Sequence, residues 1–143
     1  AEDVLTSDTG WDTIKHEAYL TEIIQELKSK GIRTSIFINP EEKLIEGAAK
    51  VGTDRIEFYT GPYAAQYEQH KSQAVEAYVR CANLATTLGL GLNAGHDLDL
   101  NNLGYIKKCI PNLQEVSIGH ALICDALYYG LEKTIQMYRQ ELQ

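Results

Sequence analysis

Four short stretches of this sequence pass abruptly from apolar residues into turn-forming and ionisable ones: "FINPEE", "IEFYTGPY", "LNAGHDL" and "VSIGHAL". Two of the four histidines follow a glycine directly at such an end, in Gly95-His96 and Gly119-His120. An imidazole exchanges its proton near neutrality, so His96 in this position could act as a general acid or base. A hydrogen-bonded structural histidine at a helix start fits the same dipeptide. Glu57 lies inside an otherwise apolar run, where an isolated carboxylate is costly to desolvate. Two readings follow: a buried ion pair with Arg55 or Arg33, or an active-site acid. Gly119-His120-Ala121 leads into a helix whose first N–H groups are open donors suited to a phosphate, although a tight turn without a ligand is equally consistent.

The elements that must hold these residues can be read from periodicity. Ile14, Leu20, Ile23, Ile24 and Leu27 share a helical face that ends before Gly31. "IRTSIFI", Ile32 to Ile38, is rich in β-branched and aromatic residues and predicts a strand, with Pro40 opening the next helix ahead of Glu41 and Glu42. The pattern then recurs: a strand over Arg55–Thr60, a helix over Gln73–Gly89, a strand at "LGLNAG", a helix around Leu100–Cys109, a strand at Glu115–Ile118, and one or two helices from Ala121 to Leu142 around Gly130. The strand midpoints Ile36, Glu57, Asn93 and Ser117 are 21, 36 and 24 residues apart. Such spacing suits strand-helix units with right-handed crossovers, hence a parallel sheet. An open doubly wound sheet and part of a (β/α) barrel both fit, and both bind ligands beyond the carboxyl ends of the strands.

Bulk properties narrow the partners. The 143 residues suit one domain, read as spanning residues 1–143, with 44% hydrophobic and 23% charged residues. A net charge of −7, with no basic block longer than Lys107-Lys108, argues against nucleic acid and anionic membranes. No apolar run approaches the roughly 20 residues of a membrane span, and "AEDVLTSDTGW" carries no signal pattern, so a cytoplasmic protein is expected. Cys81, Cys109 and Cys124 form no C-x-x-C pair and are expected to be buried thiols, with no metal site. His16 and His70 fall on expected helix or loop surfaces, Tyr59, Tyr63 and Tyr67 read as packing residues, and the acidic pairs Glu2-Asp3 and Glu41-Glu42 read as solvated or helix-start charges. "GLGLNAG" is no dinucleotide fingerprint, because its glycines lie within or before the strand.

The ordered motifs "IEFYTGPYA", "LGLGLNAGHDL" and "EVSIGHALICDALYYGL", together with "VLTSDTGWD" and "GIRTSIFINPEE", resemble the carboxyl-terminal half of the pyridoxine 5'-phosphate synthase family of the deoxyxylulose-dependent route to vitamin B6. The resemblance covers nearly the whole chain. It implies an α/β fold of the (β/α) TIM-barrel family, here a half barrel of about four parallel strands corresponding to strands five to eight. It also implies a homo-oligomeric enzyme without metal or organic cofactor. Such enzymes condense 3-amino-2-oxopropyl phosphate with 1-deoxy-D-xylulose 5-phosphate, two phosphorylated small molecules.

Carried over by motif, the resemblance assigns His96 as proton donor, Glu57 as the carboxylate that stabilises the transition state, and the amides of Gly119 and His120 as a phosphate loop. Asp97, where some members have glycine, would contact the same substrate. Nothing in the chain resembles the family's first four strands, which carry the general base, so the 143 residues are expected to be a piece of the barrel and inactive alone. A half barrel with two open edges and an apolar inner face is further expected to self-associate. The rival readings are a phosphate-binding or assembly module on an open α/β sheet and an unrelated barrel enzyme acting on phosphorylated sugars.

Overall fold

Alternation along the strands divides the molecule into two faces. In the computed structural model, which describes residues 7–143, the elements run α1 (Glu17–Ser29), β1 (Ser35–Ile38), α2 (Glu42–Lys50), β2 (Arg55–Tyr59), α3 (Gly61–Thr87), β3 (Gly91–Gly95), α4 (Leu103–Cys109), β4 (Glu115–Ser117), α5 (His120–Tyr129) and α6 (Leu131–Glu141). The strands form one parallel sheet in the order β1-β2-β3-β4, the α/β arrangement of a half TIM barrel. The pair Glu2-Asp3 and the start of "VLTSDTGWD" lie outside the described residues.

Ile36, Ile38, Ile56, Phe58, Leu92 and Ala94 point to one side and are buried in a core shared with Ile45 and Ala48 of α2, Val75, Tyr78, Ala82 and Ala85 of α3, and Leu103 and Ile106 of α4. Burying each large side chain of this kind contributes roughly 1.5–3 kcal/mol, so this face anchors the sheet. The opposite positions carry Phe37, Arg55, Glu57, Tyr59, Asn93, Glu115 and Ser117, brought side by side by the register pairs Phe37 with Glu57, Glu57 with Asn93, and Asn93 with Glu115. This corrects the expectation of an apolar inner face. The strands have a period of two, and their odd positions are mostly polar.

Several element limits differ from the sequence reading. The strand expected at Ile32–Ile38 pairs only over Ser35–Ile38, and Ile32 is exposed. Pro40 does not open α2, which starts at Glu42 with Glu41 as its N-cap. Helix α3 begins at Gly61, twelve residues before Gln73, with Pro62 in its first turn, where a missing N–H removes no helical bond. A break at His70 (φ −145°, ψ 52°) separates this first segment from the amphipathic remainder, which is why periodicity alone found only the second part. The closing helices meet at Gly130, whose φ of +81° suits glycine. Cys81 is buried and Cys109 partly so, but Cys124 is exposed, because α5 buries none of its residues against the rest of the described chain.

At the amino-terminal end of the sheet, Asp54 ties three elements together. Its Oδ2 accepts from the Thr34 backbone N–H at 2.7 Å and the Thr34 hydroxyl at 2.9 Å, while Lys28 at the end of α1 sits 2.9 Å from Oδ1. Foremost through the Thr34 amide, and then Lys28, these contacts lower its carboxyl to about 2. A depressed folded-state value stabilises the fold above the unfolded value and loses that effect as pH falls through the folded one. Asp54→Asn is therefore expected to lower the urea midpoint at neutral pH, with the gap to the parent protein closing as pH falls from about 4 to about 2.

Candidate active site

Strands β2, β3 and β4 end side by side, and their last inward-facing residues converge. Glu57 lies across β3 toward β4, where the Ser117 hydroxyl donates to its Oε2 at 3.3 Å. Gly95 is the reason it can: a Cβ added there would strike Glu57 Oε1 and come within 3.1 Å of the Ser117 side chain. The glycine at the end of "LNAG" thus leaves the room in which the carboxylate lies close over bare backbone.

Neither arginine considered for Glu57 pairs with it. Arg33 and Arg55 converge instead on Glu115, at 3.1 and 3.4 Å, and Arg55 also donates to Asn93 Oδ1 at 2.9 Å. Burial therefore dominates at Glu57 and raises its carboxyl above the ordinary value; the Glu115 charge adds to the rise and the Ser117 bond opposes it.

His96 follows β3 directly, with φ of +89°, and Asp97 follows with φ of +55°. These two left-handed residues bend the chain directly after the strand. The imidazole is mostly enclosed, with its Nδ1 3.0 Å from Asp97 Oδ2 and its ring edge-to-face with Tyr59 at a centroid distance of 5.1 Å. The Asp97 carboxylate thus flanks the imidazole on its Nδ1 side. Gly119 is the N-cap of α5 and His120 its first residue; both are exposed and leave the first-turn N–H groups facing away from the helix body.

One cavity of about 620 Å³ is lined by Glu57, His96, Asp97, Ser117, Gly119 and His120, with Phe37 among the other residues of its wall. All five residues selected from the sequence therefore border a single space beyond the strand ends. Its size is in the usual range for a small-molecule site. Among the described residues, no group of three or more His, Cys, Asp or Glu is placed to hold a metal ion.

Residues 1–143 match the family model described as pyridoxal phosphate biosynthesis protein PdxJ. The chain belongs to this family. It is 59% identical over all 143 residues to proteins named pyridoxine 5'-phosphate synthase from Cytophaga hutchinsonii and Christiangramia forsetii, covering 60% of each. A protein of the same name from Flavobacterium johnsoniae is 55% identical over 139 residues, or 97% of this chain and 59% of that one. The chain thus spans about 60% of the length of these curated relatives. Among solved structures, a chain of the Amycolatopsis orientalis BexX/CysO complex superposes with a TM-score of 0.54 at 15% identity, covering 87% of this chain and 49% of that one, a likeness of fold alone.

One residue that lines the cavity and one that packs behind its wall were not selected from the sequence. Ser117 was used only as a strand midpoint, yet it shares a face with Glu57 once β3 is in register between them. Tyr59, read as packing, does pack, but against His96 and Phe37 in the cavity wall. Tyr63 is a core residue whose hydroxyl donates to Asn102 O at 2.6 Å, and Tyr67 packs against it. His16 caps α1 and touches Trp11, while His70 is exposed at the break in α3.

These contacts set the ionisation of Glu57. Carbon-13 titration of the protein should place its carboxyl above the ordinary range, with Ser117→Ala raising it further and Glu115→Gln lowering it. Because the folded-state value is raised, the contribution of Glu57 to stability is full below the unfolded value and falls as pH rises through the folded one.

Proposed function

We propose that this chain provides the carboxyl-terminal half of a pyridoxine 5'-phosphate synthase site, condensing 3-amino-2-oxopropyl phosphate with 1-deoxy-D-xylulose 5-phosphate to give pyridoxine 5'-phosphate, inorganic phosphate and water. The observation that carries this reading is the convergence of Glu57, His96, Asp97, Gly119 and His120 on one cavity at the strand ends. The relatives' name supports the same assignment.

In this scheme the first-turn amides of α5, at Gly119 and His120, hold the phosphate of the amino-ketone by hydrogen bonds to its oxygens. His96 gives a proton to a departing oxygen, so that dehydration and phosphate loss do not leave an unstabilised oxyanion. Glu57 faces the cationic character that develops at the condensing nitrogen, and its partial desolvation strengthens that attraction. Asp97 orients the imidazole through Nδ1 and meets substrate through its backbone. The reaction as written needs no metal or organic cofactor from these residues.

The chain requires groups from outside its 143 residues, a reading supported by the longer relatives. We place it in the cytoplasm and exclude nucleic acid as a partner on the net charge of −7. Among the described residues no helix is long and apolar enough to cross a membrane. Self-association is supported by α5, where Leu127 and Tyr128 are 82% and 85% exposed, next to exposed Ile123 and Leu131. The inner face does not contribute to this argument, since it is polar.

The decisive assay is product formation from both substrates by the chain alone and after addition of a separately made amino-terminal segment of a relative. Activity is expected in the mixture only, with His96→Ala lowering kcat by about 10²- to 10⁴-fold. Turnover by the chain alone would overturn the need for outside groups; phosphate binding without turnover in either would favour the non-enzymatic module. Light scattering is expected to show at least a dimer, and a monodisperse monomer would refute self-association.

A further inference from the structure

His96 occupies a backbone conformation that a bulky residue does not adopt without support. Its φ of +89° lies in the left-handed region, where non-glycine residues are strained and persist only when the surroundings over-determine them. That support comes from the end of the neighbouring strand. Thr60 is fully buried, its backbone N–H donates to Gly95 O at 3.1 Å, and its hydroxyl is within bonding distance of two successive carbonyls, Gly95 O at 2.7 Å and His96 O. One hydroxyl has one proton, so the two carbonyls share it. Gly95 O retains the Thr60 amide in any case, and the hydroxyl is the Thr60 group that reaches His96 O.

The adjacent residue acts on the same imidazole. Tyr59 lies edge-on to the His96 ring, and its own carbonyl accepts from the Tyr78 hydroxyl at 2.8 Å. Tyr59 and Thr60 therefore grip His96 at ring and backbone, from a strand end whose inward and buried positions alternate.

We propose that Thr60 is a positioning residue for the reaction assigned above: its hydroxyl holds the Gly95-His96 turn in the left-handed conformation that aims the imidazole into the cavity against Tyr59. The inference rests on the proposed function for its kinetic consequence, but its structural content can be read without turnover.

The test compares Thr60→Val, which keeps the shape and removes the hydroxyl, with Thr60→Ser, which keeps the hydroxyl. In the chain labelled at histidine, Thr60→Val is expected to lose the nuclear Overhauser contact between the His96 and Tyr59 rings and the associated ring-current shift, while Thr60→Ser retains both. In the reconstituted enzyme, Thr60→Val should lower kcat by about 100-fold, the scale of a small misplacement of a catalytic group, with KM nearly unchanged, and Thr60→Ser should restore most of the rate. A purely structural role would lower thermal stability in Thr60→Val without moving the His96 signals, and that result would overturn the proposal, as would a serine variant as impaired as the valine one. If Thr60→Val does not fold, displaced His96 signals in Thr60→Ser would overturn it and unchanged signals would support it. An inactive reconstituted parent would count against the proposed function alone, since the ring contacts still decide the role of Thr60.

Discussion

The site depends on one close approach: the Glu57 carboxylate lying over the bare backbone of Gly95. Because β2 and β3 run parallel with Glu57 opposite Asn93 and Tyr59 opposite Gly95, the acid can cross the neighbouring strand and reach Ser117 on the next one. Any side chain at Gly95 would displace it. The same glycine ends the strand and passes the chain to His96, so a single position lets the acid cross and delivers the imidazole beside it. Both ionisable groups border the same cavity.

Electrostatics depend on how the inner face distributes its charges along the strands. At the amino-terminal end, Glu115 draws in both Arg33 and Arg55, and Asn93 accepts from Arg55. The cations are therefore occupied by Glu115 and Asn93, and Glu57 is left with a serine hydroxyl and partial burial. A carboxylate in that setting is weakly compensated, a state structural ion pairs avoid and sites that must respond to a substrate's charge can use. The cost is carried by the opposite face of the sheet, where isoleucine, leucine and phenylalanine pack against α2, α3 and α4.

Much of this was legible in the chain because it depends on local pattern. Strand-like runs ending in polar residues at regular spacing implied parallel crossovers, and the site residues were picked from those ends. What escaped was mostly non-local. The first half of α3 was missed because its opening glycine and proline read as a turn and the break at His70 interrupts its periodicity. The inner face was expected to be apolar because a barrel interior is usually packed, although Arg55, Glu57, Asn93, Glu115 and Ser117 already alternated with buried neighbours. Cys124 was expected inside because thiols usually are, but α5 meets the core only through partly buried residues such as Ala121 and Leu122, and Cys124 lies on its exposed side.

By itself, the sequence determined the alternation of strands and helices and the set of residues at the strand ends, since each follows from spacing and composition over a few neighbouring positions, while the family came from the resemblance of ordered motifs along nearly the whole chain. Only the tertiary structure decided which partner each charge takes. Glu57 turned to Ser117 rather than to Arg55 or Arg33, and His96 came to rest between Asp97, Tyr59 and the buried hydroxyl of Thr60. The reason is physical: pairing energies fall off over a few ångströms, and strand register, a property of the packed sheet, sets those distances.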